Sequence, residues 1–248
     1  MAAWKKDPFW SRPEFIRRWD LAKMTLKDEQ DLGEQLNRLI LELNPEDDGT
    51  GRERVEKAAE PFLAQLESKG RVYRFFVLNS EVVNAFSHPG GYVYVTRKLL
   101  EMIPEDEPAP LEFVVGHEMA HVEKHHALAC LNAPDVRSYG DGTLTKLYFL
   151  IIPNGFPEEM EYEADAWAYH RMKRKLRSEH DCLKYLRLLE SYARDHHFFN
   201  GRVKLTDFRN ERLKDGGTFS PIENHLRSHP AAFRRLKNLK ETAKTVRP

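Results

Sequence analysis

The chain has 248 residues, enough for one generous domain with a real core. Hydrophobic residues make up 41% and charged residues 31%, which excludes a disordered or fibrous chain and reads as a soluble globular protein. Lys plus Arg number 39 and Asp plus Glu number 39, so the basic surplus that drives non-specific nucleic-acid binding is absent.

Taken in order, the N-terminal 23 residues are rich in Trp, Phe and Arg without periodicity and are expected to wrap over the domain. Leu32, Leu36, Leu39, Ile40 and Leu43 recur at the spacing of one helix face, predicting a helix from Leu26 to Leu43. Asn44–Arg52 reads as a loop, and Val55 to Leu66 as a second amphipathic helix stopped by Gly70. Residues 71–80, 81–86 and 91–95 read as strands by their β-branched and aromatic content, with His88-Pro89-Gly90-Gly91 as a turn. Thr96 is placed to cap a short helix through Ile103.

A proline-bounded connector then leads to a long helix, Leu111–Ala129, with Pro110 in its first turn. Residues 131–157 read as a mixed loop with an apolar stretch. Helices follow over Glu158–Leu176, Asp181–Asp195 and Pro230–Lys244, with residues 200–220 irregular between them. The expected fold is α+β and mostly helical, one domain over 1–248 with a small sheet near residues 71–95.

The long helix carries His117-Glu118-Met119-Ala120-His121, an H-E-x-x-H pattern. Positions i and i+4 lie one turn apart, so the two imidazoles can converge on one ion, with Gly116 and Ala120 leaving room around them. Glu118 sits where it can take a proton from water at the metal. An open catalytic zinc needs a third protein ligand. A histidine six residues after His121 would supply it in metzincins, but position 127 is alanine. His125 and His126 follow closely, and three ligands spread along one straight helix fit a single ion poorly, so these two read as polar contacts at the helix end.

The helix from Glu158 offers carboxylates instead. Glu161 heads a stripe that continues through Asp165, Ala168 and Met172 and turns apolar, whereas Glu163 heads a polar stripe about 200° away. Glu161 is therefore the expected third ligand. Asp165, one turn on, is placed to accept the spare N–H of a ligating histidine.

These segments resemble family 48 of the metallopeptidases, the gluzincins that include the CAAX prenyl proteases and the HtpX-type proteases. HEMAHVEKHH is similar to the family's zinc helix, EYEAD to its third-ligand segment, and NAFSHPGGYVYVTRKLL to the strand–turn–strand before the zinc helix. Ser228-His229-Pro230 with Arg234 or Arg235 is similar to its late H-P…R segment. Ala168 stands where the family has glycine. The transmembrane helices of the prenyl-protease and HtpX-type branches have no counterpart here, so the resemblance implies a soluble stand-alone branch and carries over no prenylated substrate. It implies a zincin-like metalloprotease domain with a helical part over 1–69 and a catalytic core over 70–248, one zinc per chain held by His117, His121 and Glu161, and His229 as a stabiliser of the developing oxyanion.

The function this predicts is a zinc endopeptidase cutting unfolded or flexible protein segments, with Glu118 as base. The strand Asn84-Ala85-Phe86 and the strand Gly91–Val95 are expected to offer an edge along the cleft, pairing with extended peptide. Two alternatives stand: a catalytically silent zinc-stabilised scaffold, and a DNA-associated protease suggested by the basic tail (Arg227, Arg234, Arg235, Lys237, Lys240, Lys244, Arg247). Zero net charge favours that tail as a solvated helix face, so no nucleic-acid partner is expected. No run reaches the roughly 18 apolar residues of a membrane span. As written the chain reads as cytoplasmic, and as exported if a leader has been removed. Cys130 and Cys182 are either one bridge or two buried thiols.

Overall fold

The computed structural model describes residues 23–66, 70–131, 142–151, 155–195 and 232–245. The expectations for residues 1–22 and 200–220, and for His229 and its neighbours, fall outside these residues. Helix α1 (Leu26–Leu43) begins at a capping box in which Thr25 and Asp28 each accept from the other's backbone N–H. Helix α2 (Gly51–Leu63) follows, burying Val55, Ala58, Ala59 and Phe62 on one face.

Three strands come next: β1 (Arg74–Leu78), β2 (Ala85–His88) and β3 (Tyr92–Thr96). Their order in the sheet is β1-β3-β2, with β3 parallel to β1 and antiparallel to β2. Two expectations change here. Residues 81–84 are not strand, and the turn is shorter because His88 still pairs with Tyr92. Of the two segments expected to offer an edge, β3 is interior, bonded on both sides with every residue buried, whereas β2 lies at the edge of the sheet.

Thr96 caps α3 (Arg97–Met102), accepting from the Leu99 N–H. Helix α4 (Pro108–Glu123) starts three residues earlier than its apolar run suggests, with proline at its first position. Residues 109–122 are all buried, so α4 is a central helix packed on every side: α2, α7, α8 and β2 surround it. Gly116 serves that packing rather than the ligands. A Cβ there would lie 2.4 Å from the Phe62 ring of α2.

The expected single helix over 111–129 is broken. Lys124 closes α4, His125 adopts a left-handed conformation (φ 54°, ψ 32°), and a short helix α5 (His126–Cys130) restarts in a new direction. No glycine or proline announces this break, although histidine is among the side chains that visit the left-handed region more readily. Part of the expected mixed loop is also helical: α6 (Thr143–Ile151) buries Leu144, Leu147, Leu150 and Ile151 and packs against α1.

Helices α7 (Glu158–Arg174), α8 (Glu179–Asp195) and α9 (Ala232–Thr245) complete the described chain. α7 packs along α4, and α9 packs across α7 and α8, which brings residues far apart in sequence onto the middle of α4. Cys130 and Cys182 are free, buried thiols. Among the described residues no helix is long and apolar enough to cross a membrane.

Candidate metal centre

His117, His121 and Glu161 each present a ligand-type atom, and these atoms lie within 4.8 Å of one another in the interior. His117 Nε2 and His121 Nε2 are 3.0 Å apart. Glu161 Oε2 is 3.3 Å from the first and Oε1 is 3.4 Å from the second. Ligands about 2.0–2.1 Å from a tetrahedral zinc are separated by about 3.3 Å, so the three atoms are spaced as such a set would be. Two ring nitrogens at 3.0 Å also repel unless a proton or cation lies between them. Glu161 and Asp165 are both buried beside the guanidinium of Arg235, and Glu118 is buried on the helix that carries the two histidines.

Behind His117 lies a charged arm. Its Nδ1 is 2.9 Å from Asp165 Oδ1 and 3.2 Å from Arg235 Nη2. A guanidinium only donates, so a protonated Nδ1 bonds to Asp165 and leaves Nε2 as the ligand atom. Arg235 clasps Asp165 with two bonds of 2.8 and 2.6 Å and approaches Glu161 Oε2 at 3.3 Å. Burial and the Arg235 charge both lower the His117 pKa, but the Glu161 and Asp165 carboxylates outweigh them and push it up to about 9. Burial raises the Asp165 carboxyl while Arg235 lowers it more, so it ends below its usual range.

Behind His121 lies a different arm. His121 Nδ1 is 2.8 Å from His126 Nδ1, and His126 Nε2 is 3.1 Å from Glu163 Oε2. Glu163 in turn holds Lys124 at 2.6 Å, and both of these side chains reach solvent. Burial holds the His126 ring below its ordinary pKa, against the raising effect of Glu163. Phe156 stacks on the His121 ring with centroids 4.3 Å apart.

The structure thus brings together five of the residues expected at the site: His117, Glu118, His121, Glu161 and Asp165. Glu118 is buried on α4, and its backbone carbonyl accepts from Ser87 Oγ of β2 at 2.8 Å. Ala85 and Phe86 lie on β2, at one edge of the sheet, and Asn84 directly precedes it; all three are buried, with Phe86 stacked on Tyr94, and α4 and α6 pack against β2. The basic tail is also not a uniformly solvated face: Lys237 and Lys240 are exposed and Arg234 pairs with Glu158, but Arg235 is buried in the site.

Sequence reasoning missed Arg235 as a buried ion partner, His126 as a direct partner of His121, Glu163 as its support, and Phe156. The spacing Arg234-Arg235-Leu236 followed by Leu239 held a signal, since Arg235 falls on the inward side of α9.

A helix bearing His117-Glu118-x-x-His121, faced by a glutamate from a later helix and flanked by a small mixed sheet, defines a zincin-like peptidase domain. Residues 49–137, about a third of the chain, match Peptidase family M48, a family of metallopeptidases. The matched segment contains both histidines and Glu118 but not Glu161, Asp165 or Arg235, whose places rest on the geometry. No curated protein matches the chain.

Proposed function

We propose that the protein is a zinc-dependent endopeptidase acting on unfolded or flexible protein segments, its chemistry carried by one domain spanning the chain. The observation that carries this is the buried convergence of Glu161, from α7, with His117 and His121 of the helix that also bears Glu118. Zinc held there would supply Lewis-acid chemistry and a more acidic water. Asp165 holds the His117 ring at Nδ1, so that Nε2 would be the atom left to bind an ion. The Glu118 carboxylate accepts a proton from the attacking water and returns it to the leaving amine nitrogen. A purely structural zinc would have no use for such a base and would close its fourth position with another ligand.

Metal analysis and casein cleavage with a Glu118→Gln variant test this reading. The expected outcome is close to one zinc per chain in both proteins, and a loss of cleavage of about 10²–10⁴-fold in the variant. A freshly purified protein that retains no zinc, or a variant as fast as wild type, defeats it.

A further inference from the structure

The break after α4 is what places His126. Had the helix continued, residues 125 and 126 would have kept to its surface. The left-handed turn at His125 instead swings the next ring back beneath His121, where it is almost wholly buried. Two imidazoles meeting Nδ1 to Nδ1 at 2.8 Å require one proton between them, donated by one ring and accepted by the other. Its direction is decided at the far ends. His126 Nε2 faces a carboxylate oxygen of Glu163, which accepts, so Nε2 carries a proton and a neutral His126 has its lone pair on Nδ1. The proton between the rings therefore belongs to His121 Nδ1, and the lone pair of His121 is left on Nε2, the atom aimed at His117 and Glu161.

We infer that His126 is a positioning residue: with Glu163 behind it, it sets the tautomer and orientation of His121 and so its competence as a ligand. This rests on the proposed role of His121 at the metal. The relay runs from His121 Nδ1–H to His126 Nδ1, and from His126 Nε2–H to Glu163 Oε2. Lys124, the residue that ends α4, holds Glu163 in place from the other side.

The test measures zinc affinity of the full-length protein by competition with a chromophoric chelator. His126→Leu keeps the bulk and removes the acceptor, and is expected to weaken zinc by about 10–100-fold. In His126→Asn the Oδ1 atom takes the place of Nδ1 and can accept from His121, so affinity should recover to within about threefold of wild type. Nitrogen-15 spectra of histidine-labelled, zinc-loaded wild type should show His126 bare at Nδ1 and protonated at Nε2, a readout that stands even if a variant fails to fold. Unchanged affinity in His126→Leu, an asparagine no better than leucine, or the opposite tautomer overturns the relay. A wild-type protein that takes up no zinc overturns the metal reading itself and the relay with it. Normal zinc uptake by wild type and His126→Leu alike overturns the relay alone.

Discussion

The two histidines of α4 face the same point, yet they are held from behind in opposite ways. His117 is backed by an ion pair sealed in the interior: Asp165 and Arg235 are each only 1% exposed. His121 is backed by a neutral ring, and its charges come two steps later, at the surface, in Glu163 and Lys124. The difference teaches that one requirement, a fixed ring with Nε2 left bare, has two physical solutions. A buried carboxylate grips strongly but must carry its own cation. A second imidazole needs none, and leaves the ionic end in water where screening makes it cheap and weak.

The largest effect expected from this comparison is on the buried arm. Arg235→Met removes the cation and leaves Asp165 as a buried anion, so unfolding free energy of the chelator-treated protein should fall by about 3–5 kcal/mol in urea titrations. A loss under about 1 kcal/mol would mean that Asp165 is not the buried charge described here.

A fourth buried histidine, His88, supplies the middle-sized test. Its ring nitrogens meet the Pro89 carbonyl and the Tyr94 hydroxyl, and among the described residues no carboxylate is bonded to it. Burial outweighs its bond to the Pro89 carbonyl and lowers its pKa to about 3, opposite in sign to His117. The unfolded chain then takes up a proton near pH 6.5 that folded His88 refuses. This contribution to stability is complete above pH 6.5 and is lost as pH falls toward 3. By pH 5 it amounts to about 2 kcal/mol. His88→Gln should therefore lose less stability than wild type between pH 7 and 5, as followed by thermal unfolding. Equal losses would show that proximity to carboxylates does not divide these histidines.

The smallest effect belongs to the outer end of the His121 arm. Lys124→Ala should cost less than about 1 kcal/mol, and the difference from wild type should shrink further in 1 M salt. A salt-independent loss of several kcal/mol would make the two arms alike.

These contrasts also mark where the sequence could be read. Glu161 and Asp165 were legible because a helix face turning apolar must turn inward, a rule that needs only local spacing. The H-E-x-x-H helix and its neighbours were legible for the same reason. The interior place of β3 was not, because it depends on β1 crossing over to pair with it, which no local pattern encodes. His126 was read as a polar contact at a helix end, but its partner follows from a left-handed residue that carries no glycine. Arg235 was hidden by composition. A basic, amphipathic last helix reads as solvated, and only packing against α7 shows that one of its arginines answers Asp165.

Arg235 also has a consequence in time. It lies 118 positions after His117, so the ion pair behind that histidine is among the last contacts a growing chain can make. Chains fold from the N-terminus as they emerge, and α4 and α7 are both made before α9 exists. Until α9 docks, Glu161 and Asp165 lack the guanidinium that the folded chain sets beside them. Synthesis order alone thus delays the completed charge arrangement until the last described helix has been delivered.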